Sequence, residues 1–288
     1  MMASMTGFAR REATGPYGTL VCEIRSVNHR FLDPALRLPD SCRGLETELR
    51  QALAAELRRG KIDCTILHRA PPAGAGPLDV DAAALERLLA RARELAVAAG
   101  SGARIDVLEL LRWPGVLREE TLDTEQFAAL VRALFGETLA DLKAARAREG
   151  ERLAALIRQR CTTLSQLVEQ VAARAPEVQT RARARLHERL AELRTDVNHE
   201  RLEQELVLLL QRLDVTEELD RLRGHLEETA RVLAAPEPAG RRLDFLLQEF
   251  NREANTLSSK SQDLESTRAA VEMKVVIEQM REQVQNIE

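Results

Sequence analysis

The sequence predicts an α+β chain: a small N-terminal α+β module followed by a predominantly helical region with long C-terminal helices. Three observations carry that expectation. Apolar residues alternate with a period of two in parts of the first seventy positions, almost every segment beyond Pro77 has helical periodicity, and from about Asp123 the chain is rich in Ala, Leu, Glu and Arg with few breakers.

Taken in order, Thr19–Val27 (TLVCEIRSV) sets Leu20, Cys22, Ile24 and Ser26 against Val21, Glu23, Arg25 and Val27, the alternation of a strand. Phe31–Pro39 (FLDPALRLP) and Lys61–Arg69 (KIDCTILHR) read similarly. Between them, Gly44–Arg59 places Leu45, Leu49, Leu53 and Leu57 four apart, the stripe of one helix. The first module is therefore expected to hold three or four strands and a helix. Pro71–Pro77 (PPAGAGP) is a breaker-rich connection, and the single Trp113, in RWPGVL, marks a turn between helices.

Further on, Leu213–Glu228 (LDVTEELDRLRGHLEE) opens with Asp214 and, three residues later, Glu217, a helix-start signal, and shows Leu219, Leu222 and Leu226 as its buried edge. Gly240–Asp263 (GRRLDFLLQEFNREANTLSSKSQD) carries an apolar stripe of Leu243, Leu246, Leu247, Phe250, Ala254 and Leu257. In the last helix, Ala270, Met273, Ile277, Met280, Val284 and Ile287 are spaced 3-4-3-4-3, a heptad seam. Core packing within the chain is its simplest reading, and oligomerisation the next.

Composition narrows the function. A chain of 288 residues, 44% hydrophobic and 31% charged, is not disordered throughout and has room for one or two domains with cores. A net charge of −4 gives no bulk attraction to polyanions, so a nucleic-acid partner has to meet a local basic patch or surfaces joined in an oligomer. Cys22, Cys42, Cys64 and Cys161 form no Cys-x-x-Cys pair, which argues for reduced thiols and against a zinc ribbon or secreted scaffold. The N-terminus has no apolar core of signal-peptide length, and no uncharged run approaches the roughly 20 residues that span a bilayer. A cytoplasmic location without membrane association is expected.

The stretch Gly240–Asp263 also concentrates Asp244, Gln248, Glu249, Asn251, Arg252, Glu253, Asn255 and Lys260 on its polar side. Glu249 and Glu253 stand four apart, one turn along one face, where two carboxylates can share a cation. An ordinary surface ladder, with Arg252 bonded to Glu249 or Gln248, is the plain alternative. Against it, asparagines inside a helix compete for backbone bonds and need an offset. His225 stands seven residues after Glu218, two turns along the same face. Together Glu218, His225, Glu249 and Glu253 offer hard oxygens and one imidazole, a set suited to Mg2+ or Mn2+ better than to zinc. Glu249, Glu253, His225 and Arg252 are the candidate catalytic residues.

In the first module RSVNHRF (Arg25–Phe31) joins two strands and RRGK (Arg58–Lys61) joins the helix to the last strand. Such loops suit phosphate contacts, with Phe31 or His29 stacking on a base. Aromatic content of 3% argues against an extended stacking platform and for recognition of backbone charge. No P-loop or GxGxxG motif occurs.

The pieces SMTGFAR and EIRSVNHRFLD near one end, and GRRLDFLLQEFNREANTLSSKS and VEMKVVIEQMREQVQNIE near the other, closely resemble the YicC/YloC family of bacterial endoribonucleases. The resemblance divides the chain into an N-terminal module (1–155), a helical connector (156–184) and a C-terminal module (185–288). It implies a cytoplasmic enzyme that cleaves RNA internally with a divalent metal ion, built as a homohexamer that clamps RNA, linked to stress responses and small-RNA turnover, with an exoribonuclease as a further partner. Arg25, Asn28, His29, Arg30, Arg59, Lys61, Arg221, His225, Arg241, Asp244, Glu249, Arg252, Glu253, Asn255 and Lys260 are family-like. Of these, Arg25, Asn28, His29, Arg30, Arg59, Lys61, Arg241 and Lys260, together with Arg242, form the expected RNA-binding set. Ser258 departs from the family pattern, standing where Gly is usual. Two other readings stay open: a non-catalytic RNA-binding adaptor that delivers small RNAs to another nuclease, and a helical scaffold without RNA.

Overall fold

Alternating side chains build a four-stranded mixed sheet from β1 (Gly7–Gly15), β2 (Gly18–Val27), β3 (Leu32–Arg37) and β4 (Gly60–Arg69). The computed structural model describes residues 2–71, 80–100, 106–117, 123–192, 199–235 and 237–288; all of the breaker-rich Pro71–Pro77 connection except Pro71 lies outside them. Strand order is β1-β2-β4-β3, with β1–β2 and β2–β4 antiparallel and β3–β4 parallel. The parallel pair needs a crossover, and α1 (Glu46–Glu56) supplies it. Gly18 closes the β1–β2 hairpin at φ +93°, where a Cβ would lie 2.1 Å from the Arg69 carbonyl oxygen, so no side chain fits.

One face of the sheet is apolar. Cys22, Ile24, Ile62 and Cys64 pack with Leu49 and Leu53 of α1 and with Phe127, Val131, Leu134 and Leu142 of a later helix. Between them in sequence come α2 (Ala82–Ala99), whose N-cap Asp81 accepts from the Ala84 N–H, and α3 (Val107–Leu111), followed by the turn at Trp113.

The later helix is α4 (Thr124–Glu192), 69 residues long. At 1.5 Å per residue it extends about 100 Å, and it forms one wall of two cores. Its first part lies on the sheet, where Arg11 of β1 binds Asp141 (Nε–Oδ2 2.6 Å) and Glu137 (Nη1–Oε2 2.6 Å). Farther along, Leu153, Ile157, Leu164, Val168 and Val171 join a second core made with α6 (Thr216–Ala234), α7 (Gly240–Lys260) and α8 (Leu264–Val284). The positions 155/156 and 184/185 both fall inside α4 without a break. Pro176, also inside α4, forfeits the bond its N–H would donate to the Ala172 carbonyl.

Both apolar patterns read from the C-terminal sequence are buried within the chain. The α7 stripe is at most 5% exposed, and all six seam residues of Ala270–Ile287 are at most 4% exposed. Helix α6 starts differently from its sequence signal. Its N-cap is Val215, with no side-chain cap; Asp214 accepts from the Thr216 N–H (3.0 Å), while Glu217 pairs with Arg221 one turn along. No reciprocal capping box forms, because with Val215 at the N-cap Glu217 is the second helical residue rather than the third, and its carboxylate pairs with Arg221. Asp263 is the side chain that caps, accepting from Ser266 N–H (3.1 Å) at the start of α8.

The two ends of the chain meet on α4 between the cores. The Ser4 N–H donates to the Arg146 carbonyl (2.9 Å), Met5 N–H to Asn286 (2.8 Å) and Glu288 N–H to Ala3 (2.9 Å). Arg146, 2% exposed, donates from Nε to the Ser4 carbonyl (2.6 Å) and ion-pairs with Glu288. Gly150 permits this approach: a Cβ there would lie 2.4 Å from the Met2 carbonyl oxygen. Among the described residues, no helix is long and apolar enough to cross a membrane.

Candidate metal centre and nucleic-acid interface

Helices α6 and α7 run antiparallel, so residues rising in number on one meet residues falling on the other. Glu228 meets Arg242, Arg221 meets Glu253 (Nη1–Oε1 3.3 Å) and Glu218 meets Lys260 (Oε1–Nζ 2.8 Å). His225 falls in the middle of this ladder. Its ring stands edge-on to Phe250, centroids 5.7 Å apart, which holds the imidazole against the apolar stripe of α7.

That register brings three ligand-type side chains together. One donor atom each from His225, Glu249 and Glu253 lie within 4.8 Å of one another. Glu253 is buried, while His225 and Glu249 are half-buried at the rim. The Nε2 atom of His225 is buried and has no hydrogen-bond partner. An orphaned buried polar atom costs about 1–3 kcal/mol, and a cation among these three donors would satisfy it. Two carboxylates and one imidazole at this spacing fit a divalent ion whose bonds run about 2.0–2.6 Å.

Glu218 stands apart from this group. Seven residues is about 10 Å along a helix, more than one ion can bridge, and Lys260 holds Glu218 Oε1 while Oε2 is buried without a hydrogen-bond partner. Lys260 also donates to the Asp214 carbonyl (2.9 Å), so this expected RNA contact is tied down inside the bundle. Asn255 donates to Asn251 Oδ1 (3.0 Å); the two helix asparagines offset one another, without an outside ligand. Gln248 similarly donates to Asp244 (3.3 Å). Arg252 approaches Glu249 only loosely (3.8 Å) and is 68% exposed. Arg221 is the contributor sequence spacing did not assign to the site. Its hydrogen bond to Glu253, then the charges of Glu217 and Glu253, hold its guanidinium pKa above the ordinary value. No local pattern joins two residues 32 positions apart.

The basic loops divide into engaged and free residues. Asn28 donates from Nδ2 to the Gln285 carbonyl (2.7 Å), tying the β2–β3 loop to the end of α8. His29 Nδ1 lies 3.0 Å from the Phe31 carbonyl oxygen, and Arg59 Nε donates to the Arg30 carbonyl (3.1 Å). The Arg30 guanidinium sits 5.3 Å from the centroid of the exposed Phe31 ring. Arg25 and Lys61 point outward from β2 and β4, and neither they nor Arg241 make a side-chain hydrogen bond or ion pair with another described residue. Arg242 is paired with Glu228.

Comparison with known proteins covers both modules. Residues 2–155 match a family model described as "Endoribonuclease YicC-like, N-terminal region", and residues 171–288 match "Endoribonuclease YicC-like, C-terminal". The chain is 41% identical over 288 residues to a protein of Haemophilus influenzae named "Probable endoribonuclease YicC", with 100% of both chains covered. It is 29% identical over 293 residues to a protein of the same name from Clostridioides difficile, again across 100% of each.

Proposed function

Because the chain belongs to the YicC-like endoribonuclease family, we propose that it cleaves RNA internally on the α6–α7 face, with Mg2+ or Mn2+ held by His225, Glu249 and Glu253. Two observations carry this reading: a ring nitrogen of His225 lies within 4.8 Å of a carboxylate oxygen each from Glu249 and Glu253, and His225 Nε2 is buried without a hydrogen-bond partner. When bound, the cation supplies positive charge and Lewis acidity at a phosphodiester. The packing of His225 on Phe250 fixes the ring, and Arg221 orients the buried Glu253 carboxylate. Glu249, at the rim, is placed to accept a proton from an attacking water or hydroxyl. Arg252, loosely held and exposed, supplies a guanidinium for charge that develops on phosphate oxygens.

Arg25, Arg30, Lys61 and Arg241, exposed cations outside any described ion pair, contact the RNA backbone. Assembly as a homohexameric clamp brings copies of these loops together and resolves the mild net acidity. The 52% exposed Val207 and 50% exposed Leu208 on α5 (His199–Leu213) supply apolar surface for such an assembly. Action in the cytoplasm, in stress-linked RNA turnover and alongside an exoribonuclease, belongs to the same proposal.

A second reading has its own observation. Arg221 pairs with the buried Glu253 without a metal, as it would in an adaptor that binds RNA and does no chemistry. Purified protein with end-labelled RNA, with and without chelator, separates the two. Internal cleavage abolished by chelator and restored by Mn2+ or Mg2+ supports the enzyme; binding without cleavage in any metal supports the adaptor.

A further inference from the structure

Helix α7 buries every large apolar side chain it carries except one. Leu243, Leu246, Leu247, Phe250 and Leu257 are at most 5% exposed, whereas Phe245 is 59% exposed. At 100° per residue, Phe245 lies about 40° round the helix from Glu249 and about 6 Å along the axis. It therefore borders the His225–Glu249–Glu253 group on its open side. Arg241 stands one turn before Phe245 on the same ridge, exposed and without an ion pair to another described residue, and Arg252 stands two turns beyond.

The neighbours of Phe245 decide what covers it. The rest of the exposed ridge is Arg241, Gln248, Arg252, Asn255 and Ser259, with no second large apolar residue. A protein surface, including another copy of this chain, would gain one ring and bury cations against it. A nucleotide gains at every point: its base is a flat π surface for the ring, and its phosphates are anions for the flanking guanidiniums. The one-turn offset from Phe245 to Glu249 is about the reach from a base to a phosphate of the same or the adjoining nucleotide.

We propose that Phe245 is a base-stacking subsite beside the site of cleavage: it takes an unpaired nucleobase, and the α7 face therefore acts on single-stranded rather than helical RNA. A base inside a duplex is covered on both faces by its neighbours and cannot offer one to the ring. The inference rests on the endoribonuclease reading of the same face.

The test uses the full chain and a single-stranded oligoribonucleotide with one defined cleavage position, and a second oligonucleotide with an abasic nucleotide next to that position. Stacking on an aromatic side chain predicts that Phe245→Ala lowers kcat/KM by roughly 5- to 150-fold, and that Phe245→Trp retains activity where Phe245→Leu does not. The abasic substrate should lose a similar factor with the parent protein and little more with Phe245→Ala. In the presence of chelator, 2-aminopurine at the same position should be quenched on binding the parent and not Phe245→Ala, a readout that survives even if Glu249 and Glu253 do no chemistry. Cleavage by Phe245→Ala within twofold of the parent overturns the proposal. So does an equal abasic penalty in both proteins, or an assembly that falls apart in Phe245→Ala while 2-aminopurine quenching persists.

Discussion

Ile277 sits at the centre of the α8 seam, 1% exposed, in the core shared by α4, α6, α7 and α8. Truncation to alanine removes three carbons from a close-packed site and leaves a cavity, at a cost of about 2–5 kcal/mol; Ile277→Val removes one carbon and costs about 0.5–1.5 kcal/mol. Ile277→Asp adds an unpaired buried carboxylate to the lost burial and exceeds both. With a Tm shift of about 2–4 °C per kcal/mol for a chain approaching this size, Ile277→Ala should lower Tm by roughly 4–20 °C. The control is Val275→Asp, two residues away on the face of α8 that is 46% exposed, where a surface change is worth about 0.5 kcal/mol or less. Thermal melting paired with light scattering reads stability and assembly together. An Ile277→Ala melting point within about 1 °C of the parent, or an equal fall for Val275→Asp, would refute the internal packing of the seam. Loss of assembly in Val275→Asp at an unshifted monomer melting point would instead put the subunit interface on the outer face.

Alanine substitution of Arg25, Arg30 or Lys61 should each reduce the log–log salt slope of single-stranded RNA binding by about 0.7; an unchanged slope in a filter-binding or anisotropy titration places the RNA elsewhere. Breaking the buried pair at the chain ends with Arg146→Met should cost about 3–5 kcal/mol by stranding Glu288, and denaturant melts of Arg146→Met/Glu288→Gln should recover part of that loss. Burial pushes the Asp263 carboxyl up, but hydrogen bonds from the Ser266 side chain and backbone, and then Arg174, outweigh it and hold its pKa below the usual carboxylate range. The depressed folded value means this stabilisation is fully present above the unfolded pKa of about 3.9 and is lost as pH falls through the lower folded pKa. The stability difference between the parent and Asp263→Asn should therefore shrink between pH 5 and pH 2, and a difference that stays constant would contradict the assignment.

What could be read from sequence followed from what periodicity encodes. β2, β4, α1 and the two C-terminal stripes were legible because each buries a regular set of side chains, and β3 because Leu32 and Leu36 are half-buried against the same core. β1 was not, since the positions it sets opposite the core residues of β2 are Gly7, Ala9, Arg11 and Ala13, of which only Ala9 is buried; there the hydrophobic alternation is replaced by Arg11 reaching Asp141 and Glu137 on α4. The continuity of α4 was hidden because propensity and pattern identify helical segments but do not show that Pro176 is accommodated within one. At the site, the pairing of Glu249 with Glu253 was a property of one helix and could be read directly. The place of His225 depended on the antiparallel register of α6 and α7, which no spacing contains. Same-face spacing put Glu218 with His225, but axial distance separates them, and Lys260 takes the carboxylate. The RNA-contact set was found from polar and basic side chains in loops and from the family resemblance, neither of which distinguishes the free Arg25 and Lys61 from Asn28 and Lys260, whose partners come from distant segments.

If the Glu249 and Glu253 carboxylates and His225 hold the metal that cleaves RNA, the double variant Glu249→Gln/Glu253→Gln removes the charge that holds it. Amides keep the shape of both side chains and remove two negative charges from the cation. Cleavage of a defined RNA should be followed across a Mn2+ and Mg2+ titration, beside circular dichroism and light scattering of the same preparation. The expected result is an intact fold and assembly, retained RNA binding, and loss of most of the cleavage at every metal concentration. Cleavage at the parent rate with the parent metal dependence would contradict it.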